Sequence, residues 1–503
     1  MEGDAGAPAG APRKIRILQR PLVRVSIVAQ EPSQAESPKR VVPPRRPVGV
    51  LAVLFGGVLM GALDIAIVGP ALPALKQSFA VDDRALSWVF SIYILFNVAG
   101  APLMAKWSDR FGRRRLYVAS LVLFAAGSLM VAAAPAFGVL LAGRALQAFG
   151  AGGIFPVASA IVADTFPAER RGRALGLMGA VFGIAFLLGP LLGGLLLRSG
   201  WQWLFLINLP IAAVVIVASL KILPVGTRRD AGRFDAGGAA VLCVLLIAAA
   251  WGINRLDAGA LPGALLAAEV WPFLLAAAIA MPLLWRIERT ASDPILPPVL
   301  LRSPRLRAVG AIAVAAGLVE AGMVFLPALA VSAFGVDASS ASFMMLPLVL
   351  TLIVGAPMAG LLLDRIGPRA VIQGGLALTA AGLTVLGVPP LGLASFYAAG
   401  ALVGLGLSAL LGAPLRYVVL KEAGEAQRGA GQGLLTLFLS AGQLIGAATI
   451  GGVAASAANA ATGYASALLP LAAACLVVWP LTLMLEPQPV RGVSVRDEAR
   501  RRS

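Results

Sequence analysis

Long apolar runs, separated by short polar or charged segments, fill the chain between residues 48 and 485. A run of about 20 residues is long enough to cross about 30 Å of hydrocarbon as an α-helix. The hydropathy pattern predicts an all-α integral membrane protein with about fourteen spans, an even number that places both termini on one side. The predicted spans are approximately 48–75, 86–105, 116–134, 138–163, 173–198, 202–222, 236–254, 264–285, 308–334, 339–363, 369–388, 392–416, 428–456 and 463–485.

The composition agrees with a membrane protein and excludes several kinds of enzyme. Hydrophobic residues make up 59% of the 503 residues and charged residues 13%, whereas soluble domains are nearer half apolar and a quarter charged. The chain has no histidine, which excludes Ser-His and Cys-His dyads and His-ligated zinc. A membrane-bound enzyme, the alternative from another class, would need a nucleophile–base pair or a metal cluster, and the sequence offers neither. No cofactor or metal is expected.

Five segments follow from these patterns. Residues 1–47 are rich in Pro, Ala and Arg and are predicted to be a disordered basic tail. Residues 48–222 and 306–486 each hold six spans, and 223–305 is a linker with two inserted transmembrane helices. Residues 487–503 are a second basic tail.

The basic residues are distributed unevenly between the two ends of the spans. Of the 41 lysines and arginines, 36 lie in the tails and in the loops on the same side as the N-terminus. This asymmetry predicts that both tails are cytoplasmic and that the protein is a multi-pass protein of the cell membrane. It also accounts for the net charge of +17, so nucleic-acid binding, the alternative source of such a charge, is not expected.

One charged turn occurs twice. The segment AKWSDRFGRRR (105–115) follows the second span, and GLLLDRIGPRA (360–370) follows the tenth, and both contain D-R-x-G-x-R. Two helical halves that open a short loop with the same turn indicate a duplicated transporter. A channel is the alternative, but repeated loops at matching places favour two halves that move against each other.

Four further motifs accompany this loop in the first half, in the order LDIAIVGPALP (63–73), RALQAFG (144–150), GLMGAVFGIAFLLGPLLGG (176–194) and WQWLFLINLP (201–210). Together with the loop they resemble the major facilitator superfamily, and within it the fourteen-span drug:proton antiporter branch. The resemblance covers roughly residues 48–485. It departs from the usual pattern at Ala66, Gly69, Ala105, Ala148, Ala185, Gln202 and Gly442.

The resemblance implies two six-helix halves related by pseudo-two-fold symmetry, with two inserted helices, that export compounds by alternating access. It assigns the repeated loops to a latch that joins the halves on the cytoplasmic face, whereas an ordinary positive-inside loop is the alternative. The latch residues would be Asp109, Arg110, Gly112, Arg113, Arg114, Asp364, Arg365 and Gly367. The antiporter motif residues Gly189, Pro190, Gly193 and Gly194 would form a pliable seam, for which simple small-residue packing is the alternative.

Two carboxylates interrupt apolar spans. Asp64 in the first span and Glu320 in the ninth lie at similar depth and open the two halves. An isolated ionised carboxylate in hydrocarbon costs several kcal/mol, so each should face protein or water. We predict that they couple proton and substrate movement, with a static polar contact as the alternative. The resemblance makes Arg144 and Gln147 a proton relay, although Arg144 could instead extend toward the outer surface. Glu269 is expected at the membrane interface.

The expected substrate follows from the polarity of the predicted cavity. Its candidate lining residues are Tyr93, Asn97, Phe155, Phe182 and Phe186. An apolar, aromatic cavity with one or two acids suits lipophilic and often cationic compounds and suits sugars poorly. The sequence therefore predicts a proton-driven exporter of lipophilic drugs, acting as a monomer in the lipid bilayer, with a lipid or lipophilic metabolite as the alternative substrate.

Overall fold

The computed structural model describes residues 47–224, 236–257, 261–291, 294–295 and 298–487, apart from a few side chains in this part of the chain. The two predicted tails, except for residues 47 and 487, lie outside the described residues, as does part of the linker between the halves. Sixteen α-helices are found in the described part: α1 Pro47–Phe79, α2 Asp83–Phe111, α3 Arg113–Ala132, α4 Phe137–Thr165, α5 Ala168–Leu196, α6 Gln202–Leu206, α7 Asn208–Ile222, α8 Ala236–Asn254, α9 Leu261–Leu265, α10 Trp271–Thr290, α11 Pro304–Phe334, α12 Ala338–Phe343, α13 Leu346–Gly387, α14 Leu393–Leu411, α15 Ala413–Ser456 and α16 Ala460–Val478.

The helices begin and end where the sequence supplies caps or glycines. Asp82 caps α2, because its Oδ1 accepts a hydrogen bond from the Ala85 backbone at 2.7 Å. Gly335 ends α11 in the left-handed region with φ 66°. In the two repeated turns, Gly112 and Gly367 have φ of 97° and 82°, a region that a residue with a Cβ rarely adopts. The duplicated glycine thus breaks the helix at the same place in each half.

The structure has twelve candidate membrane spans among its described residues, by length and composition. This count does not confirm the predicted number of fourteen. One candidate, Ala338–Gly387, contains α12 and the whole of α13, which consists of two helical stretches that meet at the non-helical Gly367. Helix α5 is counted only as the shorter apolar segment Leu187–Ser199. The prediction of an all-helical membrane fold is confirmed.

Neighbouring helices of each half pack against one another, and the two halves meet along a seam. In the first half α1 packs on α5, and α4 packs on α2 and α3. In the second half α11 packs on α15 and α16, and α13 packs on α14. The seam is formed by α1 against α11, α2 against α15, and α5 against α12 and α13.

The inserted helices α8 and α10 pack on each other and lie beside the seam. Trp251 of α8 contacts Trp88 of α2, with ring centroids 5.5 Å apart, and Phe273 of α10 at 5.7 Å. Asn254, at the end of α8, is buried and donates to Ser87 Oγ of α2 at 3.0 Å and to the Ala448 carbonyl of α15 at 3.5 Å. Helix α8 therefore contacts both halves where α2 and α15 meet.

Candidate functional site

Asp64 lies in the interior of the first half, where three side chains donate to its carboxylate. Its Oδ2 accepts from Arg144 Nη1 of α4 at 2.7 Å. Its Oδ1 accepts from Gln147 Nε2 of α4 at 2.7 Å and from Asn208 Nδ2 of α7 at 3.2 Å. All four side chains are fully buried. An ionised carboxylate at this depth is thus stabilised by an ion pair and two further hydrogen bonds.

Arg144 is bonded through Nη1 and Nε to groups of the first half, while its Nη2 is buried without a hydrogen-bond partner among the described residues. Its Nη1 also donates to Gln147 Oε1 at 2.6 Å, and its Nε donates to the Val89 carbonyl at 3.3 Å. The guanidinium carbon lies 4.2 Å from the centre of the Tyr93 ring, which adds a cation–π contact. The alternative that Arg144 extends outward is therefore wrong, because its side chain is fully buried.

Two members of this network were not predicted from the sequence. Ser128 of α3 accepts hydrogen bonds from Gln147 Nε2 at 2.7 Å and from Asn208 Nδ2 at 3.3 Å. Asn208 lies within the quoted motif WQWLFLINLP. The motif drew attention to this segment but did not indicate that Asn208 contacts Asp64. Ser128 carries no such signal, because its contact depends on Gly127, whose missing Cβ lets α3 approach the Gln147 backbone.

A second part of the site is an apolar cavity of about 80 Å³ between the halves. Glu320 is the one charged residue that lines it, and the Gln443 side chain of α15 lies near this carboxylate. Asp64 does not line the cavity, although its neighbours Ile65 and Ala66 do. The remaining lining residues are Gly69, Pro70, Phe90, Pro190, Met323, Val324, Pro327, Met345, Leu348, Val349, Leu352, Leu407 and Leu411.

The two carboxylates occupy matching depths but different surroundings. Asp64 lies 17 residues after Pro47, where α1 begins, and Glu320 lies 16 residues after Pro304, where α11 begins. Asp64 is locked into an ion pair within its own half, whereas Glu320 faces the space between the halves. The duplication therefore placed two acids alike and left only one in contact with the cavity.

The predicted lining residues lie elsewhere. Tyr93 is buried beneath Arg144, Asn97 is half-buried on α2, and Phe155 is 38% exposed. None of these three lines the cavity that the structure describes. The side chains of Phe182 and Phe186 lie outside the described residues.

The antiporter motif lies on the seam between the halves. Gly189 faces Ala66 of α1, and Gly193 lies between Pro70 of α1 and Ser342 of α12, where an added Cβ would clash. Ser342 Oγ also donates to the Pro190 carbonyl at 2.8 Å. Gly194 meets the Phe343 ring, and its carbonyl accepts from Ser339. Small residues thus permit close contact across the seam.

We call the end of the bundle that carries the repeated loops the basic face. Here Asp109 pairs with Arg113 at 2.9 Å, and Arg113 also pairs with Asp164 of α4. Arg114 donates to the carbonyls of Leu220 and Leu223, all within the first half.

The other predicted latch residues on the basic face are exposed, except for the two glycines of the turns. Arg110, Asp364 and Arg365 are exposed. In the second half Lys421 pairs with Glu486, and this ammonium group lowers the pKa of Glu486. The ion pairs named on this face therefore join residues of the same half.

The opposite end, which we call the far face, has hydrogen bonds that cross the seam. Asp83 at the start of α2 accepts from Tyr464 at the start of α16 and pairs with Lys76 of α1. Glu269 is also found near this face, where it is exposed and pairs with Arg255 at 2.7 Å. The halves are thus bonded at the far face by side chains, in addition to the Asn254 contact described above.

Comparison with known proteins assigns the chain to a family. The family profile of the Major Facilitator Superfamily matches residues 54–319 and 308–502. The chain belongs to the major facilitator superfamily. The predicted membership is therefore confirmed, and the protein is a transporter rather than an enzyme.

Relatives of the transporter include export and resistance proteins. It is 35% identical over 393 residues to the uncharacterized MFS-type transporter YfiU of Bacillus subtilis, covering 77% of this chain and 76% of that protein. It is 31% identical to the multidrug resistance protein Stp of Mycobacterium tuberculosis, covering 80% and 74%. It is 30% identical to a triacylglyceride transporter of Mycolicibacterium hassiacum, covering 82% and 81%.

A solved structure supports the fold. A bacterial homologue of the human lysosomal transporter Spinster, in an inward-facing and occupied conformation, aligns with a TM-score of 0.62 at 16% identity. The alignment covers 88% of this chain and 97% of that one.

Proposed function

We propose that this transporter is a proton-driven exporter that removes lipophilic compounds, including cations, by alternating access. The observation that carries the proposal is the buried ion pair between Asp64 and Arg144, because an intramembrane carboxylate that can gain and lose a proton is what proton coupling requires. The kinship with multidrug resistance proteins supports export as the direction of transport.

The proposal includes an orientation in the membrane. The basic face and both termini lie in the cytoplasm, and the chain crosses the cell membrane fourteen times. The excess of arginine and lysine on the basic face supports this orientation. The far face, where the halves are bonded, is then the outer side, and the described conformation is closed to the outside.

The network suggests how a proton would bias the two conformations. Protonation of Asp64 removes the negative partner of Arg144 and leaves a buried guanidinium group without its counter-ion. Breaking a buried pair in this way costs about 3–5 kcal/mol, so the protonated protein favours any conformation that offers Arg144 water or another acceptor. Proton binding from one side and release on the other would then drive the cycle.

The cavity beside Glu320 is the proposed substrate site. Apolar side chains line it and Glu320 supplies one negative charge, a combination that suits a lipophilic cation. A drug-sized ligand needs roughly 300–1,000 Å³, so the cavity of about 80 Å³ must widen when the halves move apart.

The first experiment is dye transport in proteoliposomes under an imposed pH gradient. Wild type is expected to accumulate a lipophilic cationic dye against its gradient, and Asp64→Asn is expected to abolish accumulation. Glu269→Gln is the matched control, because this exposed carboxylate lies away from the network and should transport normally. Accumulation by Asp64→Asn at the wild-type rate would remove Asp64 from the coupling mechanism.

A lipid or lipophilic metabolite is the second candidate substrate. It is favoured by the predominantly apolar lining of the cavity and by the similarity to a triacylglyceride transporter. The same proteoliposomes decide between the two candidates. Protein-dependent movement of a fluorescent acylglycerol, without movement of dye, would favour the lipid.

A further inference from the structure

Asn208 has an unused hydrogen-bonding group beside Asp64. It is the first residue of α7. Its Nδ2 group donates to both Asp64 and Ser128, while its Oδ1 is buried and has no hydrogen-bond partner among the described residues. A buried amide oxygen without a partner costs about 1–3 kcal/mol, so this orientation of the amide needs an explanation.

The side chains that bond Asp64 all donate to its carboxylate. The titratable or charged groups that face it among the described residues are Arg144 from α4 and Tyr93 from α2. A guanidinium group donates hydrogen bonds and accepts none. Gln147 donates to Asp64 through Nε2, and its Oε1 is already bonded to Arg144.

A protonated Asp64 would need an acceptor for its new O–H group. Two acceptors belong to side chains that share this network, Ser128 Oγ and Asn208 Oδ1. Ser128 Oγ already accepts from the two amide groups of Gln147 and Asn208. Asn208 Oδ1 is unoccupied, and a half-turn of the amide about its Cβ–Cγ bond would exchange Nδ2 and Oδ1 without changing the shape of the side chain.

We propose that Asn208 is an amide switch that follows the protonation of Asp64. With Asp64 ionised, Nδ2 faces the carboxylate and Ser128. When Asp64 takes a proton from water onto its Oδ1, the Asn208 amide turns. The Oδ1 atom of Asn208 then accepts a hydrogen bond from the new O–H group of Asp64. The Ser128 hydroxyl, released from Nδ2, then donates to the same oxygen. Asn208 is thus a positioning residue, and its role rests on the proton coupling proposed above.

Removal of the amide gives opposite results for the switch and for a static donor. The ionised form keeps its shorter bonds to Arg144 and Gln147 in Asn208→Leu, at 2.7 Å each, and loses only the longer bond of 3.2 Å. The protonated form loses its acceptor. A switch therefore predicts that Asp64 becomes harder to protonate, whereas a residue that only donates to the carboxylate predicts that protonation becomes easier.

The test is an infrared pH titration of the reconstituted full-length protein. The C=O stretching band of a protonated carboxyl group is followed against pH, and the part that is absent in Asp64→Asn is assigned to Asp64. Asn208→Leu is expected to lower the midpoint by roughly half to one pH unit, which corresponds to one net hydrogen bond. An unchanged or raised midpoint would overturn the proposal.

Two further variants make the result specific. Asn208→Ser keeps a hydroxyl group and leaves room for a water, both of which can donate or accept, so its midpoint should stay close to that of wild type. Gln373→Leu removes a half-buried amide of the second half, which donates to Thr482 at 2.9 Å, and should leave the midpoint unchanged. A shift of equal size in Asn208→Ser would contradict the switch.

The titration does not depend on transport, so the two proposals can fail separately. Absence of dye accumulation together with a lowered midpoint in Asn208→Leu would reject the exported substrate and keep the switch. Normal accumulation with an unshifted midpoint would reject the switch and keep the exporter.

Discussion

At the scale of single residues, Arg144 carries out several tasks that depend on the shape of its side chain. Its guanidinium group donates to Asp64, Gln147 and the Val89 carbonyl and covers the Tyr93 ring. A planar fork with several donors can serve these partners together, whereas a lysine ammonium group is a compact point charge. The charge alone therefore does not account for this residue.

We expect Arg144→Lys to keep the positive charge and still impair transport by roughly tenfold or more, because at least one hydrogen bond to a charged group is lost. The measurement is the initial rate of dye accumulation in proteoliposomes. Arg255→Lys, at a partly exposed ion pair on the far face, is the control and should transport normally. Wild-type rates in Arg144→Lys would show that charge suffices.

The residue-scale prediction from sequence succeeded where a motif fixes the local spacing. Arg144 and Gln147 are three residues apart on α4, so their shared face followed from the helical repeat. Asp64 stood out because a carboxylate interrupts an apolar run. Ser128 and the pair of Glu320 with Gln443 did not stand out as contacts. They join separate helices, and local periodicity does not encode which helices touch.

At the scale of helices, the repeated turns offer a matched pair of substitutions. Gly112 and Gly367 both have positive φ with an extended ψ, which costs a residue with a Cβ about 1–3 kcal/mol. Gly112→Ala and Gly367→Ala should each lower the midpoint of thermal unfolding in detergent. Gly360→Ala is the control, because this helical glycine of α13 has open space around its Cβ position. Similar midpoints in all three variants would show that the turns carry no backbone strain.

Helix positions were well predicted, and contacts between residues of different helices were not. The predicted first span, 48–75, corresponds to α1 at Pro47–Phe79, and the predicted fourth, 138–163, to α4 at Phe137–Thr165. Hydropathy averages over a window and therefore does not show that Asn208, at the start of α7, donates to Asp64 of α1.

At the scale of the whole molecule, helix α8 contacts both halves at the far face. We expect Asn254→Leu to loosen this contact, because it removes hydrogen bonds to Ser87 of the first half and to the Ala448 carbonyl of the second. Loss of about 1 kcal/mol corresponds to a shift of roughly fivefold toward a state with the far face open.

Distances between spin labels would measure this shift. Labels at positions 136 and 394, both exposed at the far end of their halves, report the separation directly once Cys243 and Cys475 are replaced. Asn254→Leu should raise the population of long distances, and Thr462→Val, an exposed change on α16, should not. Identical distance distributions would mean that α8 does not stabilise the closure.

The overall architecture could be predicted from the sequence, and the conformation of the two halves could not. Apolar spans, basic loops and one duplicated turn predicted a helical transporter of two halves. They carried no information on the face at which the halves are bonded, since hydropathy does not encode which helices touch. The bonding at the far face consists of a few long-range contacts, such as Tyr464 with Asp83.

The buried pair of Asp64 and Arg144 also has an electrical consequence. While Asp64 is ionised the pair has no net charge, and a proton makes it a single positive charge deep in the bilayer. Across a membrane potential, one elementary charge is worth about 2.3 kcal/mol per 100 mV for a complete crossing. Movement of the proton-loaded form would therefore respond to voltage, whereas movement of the proton-free form would be electrically silent at this site.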